Sequence, residues 1–351
     1  MIRSLVILAM FVLYGCNLRP DPEPLPLSVN ATLNLLQENP QFVMYLNFKN
    51  MNRTEFWKKN ISDSLLNAEK TFGSLLNTFK LATGASVSEG LDEFYYSNSW
   101  FGENAIVMKG IFDKDKLNNY LITDSIFSST KNADGTTIYM KNDNGLYFFF
   151  KDDFTICASN YSKQIDIMLQ TRDTSRAGLL TNEKVFKAIQ KTIYKQDLWM
   201  VSTEKVFIRG IFQNLIESTS GYRIPESDTL TDSQPDNLND SNQTNEKPAI
   251  ENLYKKLNSI SFSADMNNDL KFIVQCESID EESSKYLASI LNGMITVSKL
   301  SSAGKQKDPS AKVFDKLKLN RHDEDIFIEL LIDESNLQEL RKTNLMAEPE
   351  Q

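Results

Sequence analysis

The chain contains a single histidine, His322, and this scarcity excludes several site chemistries. A metal site built on several histidines cannot form. A Ser-His-Asp triad would depend on His322, yet the chain has no Gly-x-Ser-x-Gly turn to carry the serine. The glycines from Gly84 to Gly90 have neither Walker nor dinucleotide spacing. We therefore expect no metal, no cofactor and no triad hydrolysis.

A basic surface is also missing. The net charge is -9 and the isoelectric point is near 5.0, and lysines are scattered among acidic residues. Without a basic stripe to neutralise phosphates, nucleic acid is not an expected partner. The acidic pairs Asp152-Asp153 and Glu281-Glu282 are predicted at a turn and at a helix start. A carboxylate-based hydrolase stays a less favoured alternative, because such carboxylates are brought together by folding.

Only the first sixteen residues contain a long apolar run. Arg3 gives a short positive region, and residues 5–13 are apolar. A helix needs about 20 residues to cross a hydrocarbon layer of ~30 Å, so this run is too short to span. It predicts a cleaved signal peptide, residues 1–15.

The end of this segment carries a specific pattern. Leu13, Gly15 and Cys16 resemble the lipobox of bacterial lipoproteins. The resemblance implies that the Cys16 thiol carries diacylglycerol and that its amine carries a further acyl chain such as palmitate, which would be the only membrane contact. Asn17, in place of Asp, implies delivery to the outer membrane, facing the periplasm, in a host with two membranes. An ordinary secretory signal is the alternative.

Proline is concentrated just after Cys16. Pro20, Pro22, Pro24 and Pro26 alternate with acidic or apolar residues. Such a segment favours extended polyproline II at ~3.1 Å per residue. Residues 16–40 are therefore predicted to be the lipidated cysteine and a tether that holds the folded part away from the membrane.

One stretch of the chain occurs twice, over residues 90–121 and 256–287. Each copy has an alternating apolar run, a turn rich in Asn, Asp or Gly, a second apolar run and an amphipathic helix that opens on Asp. A strand-like run and a helical run precede each copy, at residues 41–68 and 196–217. The order strand, helix, hairpin, helix thus appears twice, although few residues are identical and chance patterning is the alternative.

These patterns predict an α+β fold of two tandem pseudo-repeats, each a small mostly antiparallel sheet covered by helices. The first repeat is expected over residues 41–195 and the second over residues 196–346. Residues 218–248 are polar and acidic, so we expect a disordered insertion within the second repeat.

Three short strands, residues 136–141, 146–151 and 154–159, are predicted to follow the first hairpin. The run from Tyr147 to Phe150 is continuously aromatic, which is typical of a buried strand; a border of a ligand groove is the alternative. Helices are predicted at residues 162–171 and 183–194, a helix with Tyr286 and Leu287 on its apolar face after Asp280, and a strand at residues 326–332.

The remaining cysteines, Cys157 and Cys276, both fall in apolar strand-like runs. They are predicted to be buried thiols or, since an exported chain meets an oxidising compartment, a disulfide that joins the two halves.

Together these features favour a lipid-anchored envelope protein with a non-catalytic binding or scaffolding role, acting on an unknown envelope protein. The alternative is a carrier of a lipid or another apolar ligand that uses the aromatic strand from Tyr147 to Phe150 and the helix face near Tyr286.

Overall fold

The computed structural model describes residues 19–60, 90–143, 145–172, 176–192, 197–220, 254–303 and 316–338. In these ranges, twelve strands form one sheet, and every pairing is antiparallel. The strands are β1 Phe42–Asn47, β2 Leu91–Asn98, β3 Asn104–Gly110, β4 Phe127–Lys131, β5 Thr137–Lys141, β6 Leu146–Asp152, β7 Thr155–Ser159, β8 Leu198–Ser202, β9 Leu257–Met266, β10 Leu270–Ser278, β11 Lys318–His322 and β12 Asp325–Ile332.

Helices pack on both faces of this sheet. They are α1 Leu27–Leu33, α2 Phe48–Met51, α3 Glu55–Asn60, α4 Lys114–Thr123, α5 Ser162–Gln170, α6 Glu183–Lys191, α7 Lys205–Ser220 and α8 Glu281–Ala303, with a 3-10 turn at Gly178–Thr181. The predicted mixture of helices and antiparallel strands is confirmed.

The order across the sheet is β11-β12-β10-β9-β8-β1-β2-β3-β7-β6-β5-β4. Strands β1 and β8 lie side by side, with Val43 opposite Val201 and Tyr45 opposite Trp199. The prediction of two separate small sheets is therefore wrong. An unpaired edge leaves N–H and C=O groups without partners, and the pairing of β1 with β8 removes one edge from each half.

One sheet face carries an apolar core over β1, β2, β3, β7 and β8. Alternation along β1 sends Val43 and Tyr45 to this face, while Leu46 points to the other. Helices α1, α5 and α6 cover the face with buried side chains such as Leu33 and Ile189. The opposite face buries two further clusters, one under α2 and α3 and one under α7 and α8.

Local signals in the sequence predicted the hairpins and the helix starts well. The hairpins β2–β3 and β9–β10 form where the patterns of residues 90–121 and 256–287 predict them. The side chains of Asp113, Asn182 and Asp280 each accept a hydrogen bond from a main-chain N–H at a helix start. Short polar side chains of this kind satisfy the otherwise unpaired N–H groups of a first turn.

The elements that were not predicted include a helix and two strands. Helix α1 lies in residues predicted to be tether, and its Val29 and Leu33 are buried in the core. Strand β4 is mostly exposed and polar, so it lacks an apolar signal, and it makes the predicted three-stranded meander a four-stranded one. Strand β11 was missed for the same reason. The predicted insertion, residues 218–248, lies outside the described residues except that 218–220 end α7.

A buried carboxylate connects three parts of the fold. Asp197, just before β8, is fully buried. It accepts hydrogen bonds from the Met266 N–H at 2.6 Å and from the Asn50 side chain, and its main-chain oxygen accepts one from the Asn47 N–H. Burial raises the pKa of Asp197, and the two hydrogen bonds oppose that rise. The carboxylate thus joins β1 and α2 to the β9–β10 turn.

We expect Asp197→Ala to lower the free energy of unfolding by about 1–3 kcal/mol, because it leaves the buried Met266 N–H without its acceptor and removes the hydrogen bond from the exposed Asn50 side chain. Urea denaturation with an unchanged m-value measures this loss. Asp166→Ala, on the exposed side of α5, is the control and should change stability by less than about 0.5 kcal/mol. Equal stability of the two variants would contradict the assigned role.

Candidate binding cleft at the N-terminal segment

The half of the sheet made of β9, β10 and β12 has a polar face. It is the same face that carries the apolar core over β1 and β8, because Val201 and Ser261 pair across β8 and β9. Its buried polar residues are Ser259, Ser261, Ser263, Gln275 and Asp325, with the apolar pair Ile273 and Phe327 among them. Buried polar groups need hydrogen-bond partners, so the polar residues of this face depend on the segments of the chain that cover it.

Arg19 supplies one of these partners. Its guanidinium forms an ion pair with the carboxylate of Asp325, whose side chain is only 6% exposed. Gln275 donates from Nε2 to the Asp325 Oδ1 at 3.2 Å. Burial raises the pKa of Asp325, while the Gln275 hydrogen bond and the Arg19 charge counteract the rise. Arg19 therefore fastens the N-terminal segment, residues 19–26, to the first residue of β12.

Lys191, at the end of α6, supplies a second cation. It forms an ion pair with Glu277 of β10, and Ser259 donates a hydrogen bond to the other Glu277 oxygen at 2.9 Å. The hydrogen bond to Glu277 raises the pKa of Lys191. Arg19 and Lys191 together offset two of the carboxylates on the polar face.

A cleft of about 310 Å³ opens between the N-terminal segment and α6. It is lined by Pro22, Glu23, Pro24, Leu25, Asn30 and Gln190. Its volume is at the small end of the range for ligand sites, which is ~300–1,000 Å³. Leu25 also packs against the apolar core. Residues 19–26 form no helix or strand, and they contact the body through Arg19 and Leu25.

One buried acceptor in the wall of this cleft, the Asn30 Oδ1, has no hydrogen-bond partner among the described residues. The Gln275 Oε1, on the polar face of the sheet, is a second such acceptor. An unsatisfied buried acceptor costs about 1–3 kcal/mol, which a donor group of a ligand could offset. The cleft can therefore receive a small polar molecule or an extended chain that offers N–H or O–H donors.

These residues were not recognised from the sequence. Arg19 is the only cation among the prolines and acids of residues 18–26, a signal that an acidic partner lies elsewhere. The alternation of Ser259, Ser261 and Ser263 with apolar residues in β9 signals a polar face that needs a cover. The ion pairs themselves join positions that are 306 residues apart for Arg19 and Asp325 and 86 residues apart for Lys191 and Glu277, which no local pattern reveals.

The predicted site residues fall in different places. Cys16 lies outside the described residues. Cys157 on β7 and Cys276 on β10 are both buried and free. Six strand spacings separate β7 from β10, about 29 Å at ~4.8 Å per strand. A disulfide needs α-carbons within about 7 Å, so the hypothesis of a bond between the halves is wrong, and the buried-thiol alternative fits.

The aromatic strand serves mainly as core. Phe149 is buried under the α5 and α6 side, while the Phe148 and Phe150 rings contact Phe127 and Phe112 from the other side. On α8, Leu287 is fully buried, but Tyr286 is 42% exposed. The prediction that Tyr286 belongs to the apolar face is wrong, since that face is formed by Leu287, Ala288 and Leu291.

His322 and one residue of each acidic pair make local contacts within the fold. His322 ends β11, rather than lying in a loop, and its ring packs 5.8 Å from that of Phe327. Asp152 accepts a hydrogen bond from the Phe154 N–H in a turn, and Glu281 forms an ion pair with Lys285 in the first turn of α8. In the ranges the structure describes, no group of three potential metal ligands occurs, and no helix is both long and apolar enough to cross a bilayer.

No protein-family model and no curated protein matches this chain. Crystal structures of TP0453 are similar in fold. Crystal form I has 9% identity and a TM-score of 0.48, and the match covers 94% of this chain and 99% of that chain. Crystal form III has 10% identity and a TM-score of 0.45, and the match covers 89% of this chain and 97% of that chain. Crystal form IV has 11% identity and a TM-score of 0.44, and the match covers 90% of this chain and 96% of that chain. A likeness this distant does not bear on function.

We expect both strand cysteines to be thiols that react slowly in the native protein. Burial raises the pKa of each to about 12, so little thiolate exists at neutral pH. In urea, without reductant, a thiol reagent should detect both. A higher count after reduction would contradict the assignment, and Cys157→Ala, which removes one of the two thiols, calibrates the count.

We expect Arg19→Ala to raise the pKa of Asp325, because the mutation removes a positive charge that favours the carboxylate. At pH 7 the variant should lose about 1 kcal/mol of stability, a small value since Arg19 is 46% exposed. The loss should disappear as pH falls and Asp325 becomes protonated in both proteins. Carboxyl NMR titration gives the pKa values directly.

The control is Lys58→Ala, which breaks an exposed ion pair with Glu55 on α3. It should leave the Asp325 titration unchanged. An Asp325 pKa that is the same with and without Arg19 would show that the ion pair does not form in solution.

Proposed function

We propose that this chain is a lipid-anchored cell-envelope protein with a non-catalytic binding or scaffolding role on the periplasmic face of a membrane. The lipobox-like residues Leu13, Gly15 and Cys16 support the anchor, and Asn17 supports the outer membrane as its location in a host with two membranes. The lack of a multi-histidine, triad or phosphate-loop motif supports a role in binding.

The observation that carries this proposal is the fastening of the N-terminal segment to the body. Arg19 lies three residues after Cys16 and pairs with the buried carboxylate of Asp325, and Leu25 packs against the core. A lipid on Cys16 would therefore hold the folded body against the bilayer. A spacer that keeps the body at a distance, as the proline pattern suggested, does not fit these contacts.

The ligand we propose is polar, or an extended segment of an envelope partner. The cleft beside Pro22 and Pro24 offers the unpartnered Asn30 Oδ1, and Glu23 adds a carboxylate to its lining. These groups accept hydrogen bonds and match a ligand rich in N–H donors. The alternative, a carrier of apolar ligands, loses support because protein side chains occupy the space around the aromatic strand.

We also propose that the two halves are tandem pseudo-repeats within one sheet. Outward from the central pair, β1, β2, β3 and β7 on one side match β8, β9, β10 and β12 on the other. In each half the first strand is followed by a helix, a hairpin and another helix in the chain. The antiparallel pairing of β1 with β8 is what a two-fold relation between the halves requires.

Metabolic labelling with an alkyne fatty acid in a bacterial host tests the anchor. The wild-type protein should be labelled and should fractionate with membranes. Cys16→Ala should lose both properties, because the thiol that would receive the lipid is gone. Cys157→Ala is the matched control, and because its thiol is buried in a strand, it should keep the label. Labelling that survives in Cys16→Ala, or is absent from the wild type, would overturn the proposal.

A further inference from the structure

The turn between β2 and β3 exposes two adjacent aromatic side chains. Phe101 is 91% exposed and Trp100 is 49% exposed. The other two tryptophans, Trp57 and Trp199, are buried at 7% and 1%. An exposed aromatic pair at the tip of a hairpin is unfavourable in water and indicates a contact surface.

Hydrogen bonds hold the turn in one conformation, in which Trp100 and Phe101 are exposed. The Ser99 N–H donates to the Glu103 oxygen at 2.8 Å, and the Gly102 N–H donates to the Ser99 oxygen at 3.1 Å. Gly102 has a φ of +76°, a conformation that glycine adopts without strain. In the loop after β7, the Asn160 side chain donates a hydrogen bond to the Gly102 oxygen at 2.8 Å. Trp100 and Phe101 are thus presented outward from a braced turn.

The aromatic turn and the Arg19 contact lie at the same end of the sheet. Asp325 pairs with Glu277, and Glu277 pairs with Ser259, near the ends of β12, β10 and β9. The row continues through β8 to β1, where the Gln41 N–H donates to the oxygen of Asn98, the last residue before the turn. Five strand spacings, about 24 Å, separate the two sites along this row.

The proposed anchor is close to this end along the chain. Cys16 precedes Arg19 by three residues in the sequence, and three fully extended residues reach about 10 Å. A bilayer that holds the lipid on Cys16 is therefore near the end of the sheet that presents Trp100 and Phe101. Ile279, in the turn between β10 and α8 at the same end, is 43% exposed and adds apolar surface there.

We propose that Trp100 and Phe101 insert into the interfacial layer of the bilayer that holds the Cys16 lipid. This proposal rests on the proposed lipid anchor and adds a second, protein-borne contact that sets the orientation of the body. Tryptophan is favoured at the membrane interface, where its ring meets acyl chains and its N–H meets polar groups. The neighbouring carboxylates, Glu103 and Glu204, direct the turn to neutral phospholipid and not to anionic lipid.

The test uses the lipidated full-length protein in phosphatidylcholine vesicles whose acyl chains are brominated near the headgroup. Bromine quenches tryptophan only on close approach, and Trp100 is the exposed tryptophan of the three. We expect quenching in the wild type and its loss in Trp100→Phe, which removes the reporter and keeps an aromatic ring. In Phe101→Ser, which retains Trp100, we expect weaker quenching because the turn has lost apolar surface.

Phe154→Ser is the matched control. Phe154 is 62% exposed in the turn before β7, at the opposite end of the sheet, where Thr155 pairs with Lys109. This variant also removes an exposed ring from a turn and should leave the quenching at the wild-type level. Circular dichroism on each variant verifies that the fold is retained.

Vesicle flotation separates failure of the turn from failure of the anchor. Labelled protein that floats with the vesicles while Trp100 stays unquenched would overturn the insertion proposal and leave the anchor intact. Protein that neither floats nor carries the fatty acid would overturn the anchor, and the insertion proposal would fail with it.

Discussion

The antiparallel pairing of β1 with β8 is the interaction on which the rest of this structure depends. The two strands are about 155 positions apart, and their pairing turns two half-sheets into one. Tyr45 lies between Tyr95 and Trp199, with ring centroids 4.9 and 5.5 Å away. The largest side chains of the core therefore meet at the junction between the halves. Weakening this contact would expose two strand edges and open the main core at once.

The same sheet face changes character on crossing from β8 to β9. On one side it buries Val43 and Val201, and on the other it buries serines and the carboxylate of Asp325. Polar groups in such a place are retained only if they are paired, because an uncompensated buried charge costs several kcal/mol. The partners, Arg19 and Lys191, come from the first half of the chain. The halves are thus joined by backbone pairing along the sheet and by charge pairs above it.

Short-range patterns predicted much of this fold. The hairpins and the caps at Asp113, Asn182 and Asp280 follow from side chains within a few residues of one another. Local patterns cannot say which strand edges meet, so the single sheet was not foreseen. They also misjudge strands such as β4 and β11, which are stabilised by ladder hydrogen bonds more than by apolar burial.

The candidate cleft was less predictable than the fold. Its walls come from residues 22–30 and from Gln190, and the charge pairs beside it connect positions in different halves. Proline alternation predicts an extended backbone, yet it does not tell whether that backbone is solvated or lies on a surface. Arg19, the one cation in residues 18–26, was the available sign that the segment has a binding site on the body. For Cys157 and Cys276, residue type suggested a disulfide bond, and the strand order places the two cysteines too far apart to form it.

The ion pair between Arg19 and Asp325 joins residues 306 positions apart, and this separation has a consequence for the timing of biogenesis. Because a chain is synthesised from its N-terminus, Arg19 emerges long before Asp325 exists. The buried carboxylate that receives Arg19 is in place only after β12 has paired with β10 and β11. The contact between Arg19 and the body is therefore among the last to form.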